Sequence, residues 1–251
     1  MGDPVPQDST LTPSQPVPAN VAQVAVASGL GTFERVYVPK RRSWALIIVN
    51  LFLALLTLFV LVGFWLLWVL FRTPNMSRSQ AARRVYLYER GFIVADRPED
   101  PQVYRFEDID TVFQKIVSQR TYGFETARSY LYTINTRDGR TVKLTQFYSN
   151  IEELGPCINQ RVSALLLPGV LGAIGQGQAV RFGDVTLAAG GIAGKRKSVS
   201  WPEVREVRIS NGYVSVEIAG KFLSLSTTEA ADLPNLPLFL ELTHRLRGNA
   251  R

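Results

Sequence analysis

Residues 44–71 read WALIIVNLFLALLTLFVLVGFWLLWVLF, an apolar run without a charged side chain. Lys40-Arg41-Arg42 stands just before it, and Arg72 follows directly. As one helix the run would be about 42 Å long, which exceeds the roughly 30 Å thickness of a bilayer hydrocarbon core. Backbone groups inside hydrocarbon must be hydrogen-bonded within the segment. The run therefore predicts one transmembrane helix over residues 44–71.

Aromatic residues near both ends of this run fit the interfacial belts of a transmembrane helix. The predicted membrane-span residues are Trp44, Asn50, Gly63, Trp65, Trp68 and Phe71. Basic residues are almost equally frequent on the two sides, so the positive-inside rule does not decide the orientation. A re-entrant hairpin that turns near Gly63 or Asn50 is the alternative. We prefer a single span in the cell membrane, with the carboxyl-terminal part in the cytoplasm.

The segment before the apolar run has a different composition. Residues 1–32 are rich in Pro, Ser, Gln, Ala and Val and show no periodic pattern of apolar residues. Such a composition buries too little apolar surface to offset the entropy of the chain, so we predict a disordered tail. Residues 33–43 then form a basic juxtamembrane segment.

Beyond residue 83 the sequence consists of short alternating strands separated by turns. The turn signals are Arg90-Gly91, Asp138-Gly139, Gly183-Asp184 and Asn211-Gly212. A helical pattern follows residue 150, with a kink predicted at Pro156. Residues 168–177 are rich in glycine and are predicted as a linker. A second helix is predicted to begin with Asn235 as its cap and to end at Gly248.

Two parts of this region share a short signature. Phe106-Glu-Asp-Ile109-Asp-Thr-Val112 aligns with Trp201-Pro-Glu-Val204-Arg-Glu-Val207, and a Gly-aliphatic step precedes each, at Gly91 and Gly191. We therefore predict an internal duplication, with domain 1 over residues 84–167 and domain 2 over residues 178–248. Each domain would be a bent antiparallel sheet or barrel that a carboxyl-terminal helix closes, because such a sheet leaves one end of its core open.

These segments resemble bacterial pleckstrin-homology-like (PH-like) domains. The resemblance rests on Gly91-Phe-Ile-Val with Phe106-x-x-Ile109, and on Gly191-Ile-Ala with Trp201-Pro-Glu-Val204. The ending, from Tyr213-Val-Ser-Val through Leu233-Pro-Asn-Leu to Leu246, is similar to an uncharacterised bacterial family of membrane-attached proteins with such domains. The resemblance implies a mainly β (α+β) fold and a scaffold that binds lipid, a peptide or a membrane protein. It supplies no catalytic residues.

The inventory of reactive side chains restricts the chemistry. His244 is the only histidine and Cys157 the only cysteine, so a zinc site of Cys and His ligands cannot be built. His244 lies in the last turns of a predicted helix, where a cation complements the helix dipole. We therefore predict a protein that is not an enzyme and that has no cofactor, no metal and no catalytic residues.

Charged and aromatic residues suggest two contact surfaces. The chain carries 28 basic and 21 acidic residues, and the excess is spread evenly, which argues against a nucleic-acid partner. The basic turn, defined as Lys195, Arg196 and Lys197 with Arg181 and Lys221 behind it, could bind an anionic lipid headgroup. Tyr122 and Phe124 could contact a protein partner. An ordinary solvated turn and a packed loop are the respective alternatives.

The function that the sequence favours is a membrane-anchored interaction or assembly module. Its partners would be the lipid bilayer and a membrane or membrane-proximal protein, because tethering raises the effective concentration of the domains at the surface. Binding or sensing of anionic lipid headgroups through the basic turn is the alternative function. An enzyme of unknown type is a remote third.

Overall fold

The computed structural model describes residues 17–57, 61–97, 99–121, 124–195, 197–219 and 227–249. The fold is α+β, and its strands form four antiparallel sheets, as the sequence predicts at this level. Two compact units divide the chain, the amino-terminal unit over residues 1–103 and the carboxyl-terminal unit over residues 104–251. The boundary lies inside the range predicted for domain 1.

A four-stranded sheet organises the amino-terminal unit. Its strands follow the chain order: β1 (Phe33–Tyr37), β2 (Arg84–Tyr88), β3 (Gly91–Ala95) and β4 (Pro101–Arg105), the last of which crosses the unit boundary. β1 and β2 are antiparallel neighbours, with Tyr37 opposite Val85. The chain between them must therefore leave and return at the same end of the two strands.

A helix precedes this sheet where the sequence predicted disorder. Helix α1 (Ala19–Ala27) buries Val21 and Ala25, and these pack in one cluster with Tyr86 and Ile93 of the sheet. The prediction of a disordered tail is therefore wrong for residues 19–27. Val21 and Ala25 are four residues apart and share one helix face, and burial against the sheet supplies the stabilisation that a short isolated helix lacks.

The apolar run forms two helices rather than one. Helix α2 (Trp44–Leu56) and helix α3 (Leu61–Phe71) pack against each other, and the short helix α4 (Arg78–Ala82) follows. The backbone N–H of Arg42 donates to Oδ1 of Asn75 at 2.8 Å, and Nδ2 of Asn75 donates to the Arg42 carbonyl at 2.7 Å. The prediction of one continuous helix over residues 44–71 is therefore wrong. The run is an apolar hairpin whose two ends meet.

The first half of the carboxyl-terminal unit begins with a 3-10 turn (Phe106–Asp108). A three-stranded antiparallel sheet follows, with β5 (Ile109–Thr121), β6 (Phe124–Thr136) and β7 (Thr141–Thr145) in chain order. Helix α5 (Ile151–Gly175) packs on this sheet and on the 3-10 turn. The β6–β7 turn contains Asp138-Gly139, as the sequence predicts.

The second half of this unit contains two sheets and a helix. A four-stranded sheet contains β8 (Val180–Phe182), β9 (Val185–Ala188), β10 (Gly191–Ala193) and β11 (Ser198–Ser200). After a 3-10 turn (Trp201–Glu203), a three-stranded sheet contains β12 (Val204–Ser210), β13 (Tyr213–Ile218) and β14 (Thr227–Glu229). A third 3-10 turn (Ala230–Asp232) leads to helix α6 (Leu236–Asn249), one residue beyond the predicted end.

The order of elements along the chain is therefore duplicated. Four strands, a 3-10 turn, three strands and a helix occur from β1 to α5 and again from β8 to α6. Phe106 and Trp201 are both buried at the start of the two 3-10 turns, where the shared signature placed them. The apolar hairpin lies between the first two strands of the first repeat, where the second repeat has only Gly183-Asp184. Among the described strands the sheets are four separate ones, and none closes into a barrel.

Helix α5 is longer than the sequence predicted. It continues through Pro156 and Pro168 to Gly175, so residues 168–175 are helix rather than linker. Ile158 and Val162 are buried in the part of the helix before Pro168, and the helix packs on strands β5, β6 and β7. Ile174 belongs to the hydrophobic core of the second repeat. Packing on both cores offsets the low helix propensity of the Pro and Gly residues in this segment.

Asn235 does not act as the predicted side-chain cap of the last helix. Its backbone N–H donates to the carbonyl of Val112 at 2.9 Å, and its Oδ1 accepts the N–H of Val112 at 2.9 Å. Its Nδ2 also donates to the carbonyl of Asp110 at 2.9 Å. Asn235 has a φ of 51° and bonds to the edge of strand β5 through both its main chain and its side chain. The second repeat is thereby bonded to the first.

Gly155 allows helix α5 to approach the sheet closely. A Cβ atom at this position would overlap the ring of Tyr132, a buried residue of strand β6. Gly172 lies on the same helix and has open space around it. Gly155 is therefore required for close packing, whereas at Gly172 a side chain would change only the helix propensity.

We predict opposite effects of alanine at these two glycines. Gly155→Ala should lower the free energy of unfolding by about 1–3 kcal/mol, because the methyl group overpacks the interface with Tyr132. Gly172→Ala should raise it by up to about 1 kcal/mol through helix propensity. Denaturant unfolding of the full chain in detergent, followed by circular dichroism, measures both. Equal shifts for the two variants would contradict this account of Gly155.

Candidate functional site

The sides of the apolar hairpin are covered with exposed large apolar side chains. Trp44, Trp65 and Phe71 are each more than 60% exposed, although soluble proteins rarely expose a continuous apolar surface of this extent. The other exposed members are Leu46, Ile48, Val49, Leu51, Phe52, Leu53, Leu55, Leu56, Val62, Phe64 and Trp68. Each such side chain left in water forgoes roughly 1.5–3 kcal/mol of burial free energy. The surface therefore requires an apolar environment.

The two helices of the hairpin each bury one narrow face. On α2 the buried residues are Ile47 and Ala54, and on α3 they are Gly63 and Leu70. Members of each pair are seven residues apart and so lie on one side of their helix. Small residues at such a face allow two helix backbones to approach closely. Gly63, predicted as a turn position, is instead a buried position within α3.

The polar side chains of the hairpin are satisfied by their own helix. Nδ2 of Asn50 donates to the carbonyl of Leu46 at 2.7 Å, and Oγ1 of Thr57 donates to the carbonyl of Leu53 at 2.7 Å. Asn50 therefore lies within α2 and is not at a turn. Because these bonds need no water, the side chains add little to the cost of placing the hairpin in hydrocarbon.

The base of the hairpin, where the chain enters and leaves it, carries the basic residues. The hydrogen bonds between Arg42 and Asn75 hold the two ends together, so Lys40-Arg41-Arg42 and Arg72 lie at the same end. The Arg72 guanidinium lies over the Trp68 ring, 4.1 Å from its centroid. We call this group the basic collar. An amphipathic ring beside a cation is typical of the membrane–water interface.

Helix α5 is the only described helix that is long and apolar enough to cross a membrane. It packs on strands β5, β6 and β7 and carries Glu152, Glu153 and Arg161. Core helices of soluble domains can have the same length and composition, so these two properties do not make α5 a membrane span.

The predicted basic turn is partly neutralised. Nζ of Lys195 lies 2.7 Å from Oδ2 of Asp184, and Nε of Arg181 donates to the carbonyl of Gly183 at 2.7 Å. The structure therefore brings Lys195 and Arg181 to the same β8–β9 turn. Lys197 is exposed. Arg196 and Lys221 lie outside the described residues.

The predicted partner contacts cannot be placed in the same way. Tyr122 and the side chain of Phe124 lie outside the described part of the chain. Sequence reasoning missed a groove that runs along strand β5 at Ile116 and Val117. The sequence does contain a signal for it, because Ile116 and Val117 are consecutive aliphatic residues in a strand whose apolar and polar residues should alternate. Neighbouring side chains of a strand point to opposite faces, so one of the two must face away from the core.

Ionisable groups with shifted pKa values have structural causes. Hydrogen bonds from the Thr136 hydroxyl and from Arg140 lower the pKa of Asp138, in the β6–β7 turn, to about 2. Burial, followed by the charges of Tyr130 and Glu152, raises the pKa of Tyr132 to about 12. Among the described residues no three His, Cys, Asp or Glu side chains cluster as metal ligands do. Local hydrogen bonds account for the shift at Asp138, and burial accounts for most of the shift at Tyr132.

These features define an α+β protein of duplicated antiparallel meanders that carries an apolar helical hairpin between two strands. The chain belongs to DUF6585, a family of unknown function, which it matches over residues 12–251. No curated protein and no solved structure matches it.

We predict that Asn75→Ala opens the base of the hairpin. The variant removes both hydrogen bonds to Arg42, so the Arg42 amide should exchange with solvent at least fivefold faster, as expected for about 1 kcal/mol per net hydrogen bond. Hydrogen exchange of the full chain in detergent measures this rate. The Gln80 amide, which Ser77 Oγ accepts at 3.5 Å, should be unchanged and serves as the internal control. An unaltered Arg42 rate would contradict the assigned role of Asn75.

Proposed function

We propose that the protein is a non-enzymatic, membrane-anchored interaction module whose apolar hairpin inserts into one leaflet of a bilayer. The observation that carries this proposal is the exposed apolar surface of a hairpin whose ends are hydrogen-bonded together at Arg42 and Asn75. Hydrocarbon is the environment that this surface requires. The internally satisfied side chains of Asn50 and Thr57 also support it.

The lengths of the two helices support insertion without crossing. Helix α2 has 13 residues and helix α3 has 11, which correspond to about 20 Å and 17 Å. A hydrocarbon core of roughly 30 Å is too thick for either helix to span. The hairpin would enter from one side, turn within the bilayer and return to that side.

The basic collar gives a reason for the balanced charges on the two flanks. In a hairpin both flanks lie at the same interface, so the positive-inside rule applies to their sum. Lys40, Arg41, Arg42 and Arg72 would then contact the anionic headgroups of the cytoplasmic leaflet, each adding about 1 kcal/mol. Both units would lie on the cytoplasmic side of the cell membrane.

The duplicated order of strands and helices supports the proposed kinship with PH-like domains. In each repeat four strands, three strands and a closing helix follow one another. Domains of this kind serve as scaffolds that bind lipid or protein, and membrane attachment would raise their effective concentration for a membrane-proximal partner. The basic turn is a weaker candidate for lipid binding, because Asp184 already pairs with Lys195.

We predict that both ends of the chain are on one side of the membrane. Single cysteines are placed at two exposed positions, Gln23→Cys and Ser198→Cys, in a Cys157→Ser background. In sealed inside-out vesicles an impermeant maleimide should modify both, and in right-side-out vesicles neither. Detergent lysis, which should expose both thiols, is the control. Modification of only one position in intact vesicles would show a single span and would overturn the hairpin anchor.

We also predict that charges on the hairpin release the protein from membranes. Each lysine introduced by Phe52→Lys and Phe64→Lys would cost roughly 2.5–3.5 kcal/mol at the bilayer centre. The double variant should move from the pellet to the supernatant in carbonate extraction. Val26→Lys changes an exposed apolar residue of α1 and should stay in the pellet. Retention of the double variant would contradict attachment through this hairpin.

A further inference from the structure

A groove in the carboxyl-terminal unit lies between strand β5 and the turn that joins β12 to β13. Its volume is about 650 Å³. One wall is the β5 segment 114–118, and the other wall contains Ile209, Tyr213 and Glu229. The groove therefore lies between the two repeats, inside one compact unit.

The groove collects the exposed apolar side chains of this unit. Ile116, Val117, Ile209 and Tyr213 line it and are 42–45% exposed. Leu165 is the one other large apolar side chain that is exposed in the described part of the unit. Clustering of such residues in a concave surface marks an interaction site, whereas scattered single residues do not.

One wall of the groove is the open edge of a sheet. Strand β5 is the outer strand of its sheet, and Val112 directs both its N–H and its carbonyl away from β6, to Asn235. Outward-facing groups recur at every second residue of an antiparallel strand, and the pairing with β6 is regular from Val112 to Ser118. The N–H and carbonyl groups of Gln114, Ile116 and Ser118 therefore point outward.

These backbone groups have no partner in the part of the chain that the structure describes. Asn235 bonds to β5 at Asp110 and Val112, and the 3-10 turn at Ala230–Asp232 packs on the same strand. An open strand edge that is flanked by exposed apolar side chains is a template for a further strand. The bonds from Asn235 show that this edge already accepts main-chain partners from outside its sheet.

We propose that this groove binds an extended segment of a partner protein, which adds as a fourth strand to the edge of β5 at residues 114–118. Main-chain hydrogen bonds would provide affinity, and every second side chain of the segment would contact Ile116, Ile209 or Tyr213. At about 3.4 Å per residue, five residues of the partner cover this edge.

The charges of the groove define the partner further. Lys115 on one wall and Glu229 on the other form no ion pair among the described residues. Tyr213 Oη lies 3.5 Å from Oε1 of Glu229. A complementary segment therefore has apolar residues at alternate positions, an acidic residue that reaches Lys115 and a basic residue that reaches Glu229.

The groove would be the site at which the proposed interaction module contacts its protein partner. Only the statement that the partner is a protein rests on the proposed function. Binding to the groove and attachment to the membrane are measured separately. A failure of one leaves the other standing.

The test uses the full chain in lipid nanodiscs and a synthetic nonapeptide library as the probe. Each peptide of the library alternates an apolar residue (Val, Ile, Leu, Phe or Tyr) with Ser or Thr. One end carries Asp and the other carries Lys, and both placements are included. We expect the best binders to bind at least tenfold more tightly than peptides of the same composition without alternation. Absence of binding, or binding that ignores alternation, would overturn the proposal.

Hydrogen exchange shows whether the peptide pairs with the strand edge. The best-binding peptide should slow exchange of the Gln114, Ile116 and Ser118 amides at least tenfold. The amides of Phe113, Lys115 and Val117 face β6 and should change little. Binding that protects neither set would exclude strand addition and would point to contact through side chains alone.

Variants on both walls complete the test. Ile116→Pro removes one outward N–H and leaves the bonds to β6 in place, so peptide affinity should fall at least tenfold. Leu165→Ser removes an exposed apolar side chain elsewhere and should leave affinity unchanged. If Ile116→Pro does not fold, Ile209→Glu with Tyr213→Glu tests the opposite wall. Wild-type affinity in the folded wall variants would overturn the proposal, and carbonate extraction should find all of them still attached to membranes.

Discussion

The antiparallel pairing of β1 with β2 is the constraint on which the apolar segment depends. Tyr37 and Val85 are opposite each other, so everything between them begins and ends at one place on the sheet. The hydrogen bonds between Arg42 and Asn75 hold the chain together on its way out and back. A straight helix over residues 44–71 would separate these ends by about 42 Å. The hairpin brings these two ends together, as the pairing of β1 with β2 and the bonds between Arg42 and Asn75 require.

Duplication explains how the remaining elements are arranged. Phe106 and Trp201 are buried at equivalent 3-10 turns, and the indole N–H of Trp201 donates to the Ala188 carbonyl at 2.9 Å. Helix α5 joins the two repeats by packing on both cores, and Asn235 bonds the second repeat to an edge strand of the first. The same bonds stop at Val112, which leaves the next part of the β5 edge open. The contact between the two repeats therefore covers the edge of β5 at Val112 and leaves the edge at residues 114–118 without a bonded partner among the described residues.

Much of the local structure could be predicted from the sequence. The Asp138-Gly139 and Asn211-Gly212 turns and the two aromatic signatures depend on neighbouring residues, and they occur where predicted. Strand β1 (Phe33–Tyr37), in contrast, lies in the segment predicted as basic and juxtamembrane, because its pairing with β2 depends on residues far away in the chain. The groove could not be predicted, because its two walls are about 90 residues apart in the chain. The pairing of Lys195 in the basic turn could not be predicted either, because its partner Asp184 belongs to a different hairpin.

By itself, the sequence determined the α+β class, the duplication, the turns and the apolar character of residues 44–71. Tertiary structure alone decided that this run is a hairpin, that residues 19–27 and 168–175 are helical, and that Asn235 bonds to Val112. The physical reason is the range of the interactions. Turn conformation and strand alternation arise between adjacent residues, whereas helix ends, strand pairing and open edges depend on contacts between segments far apart in the chain.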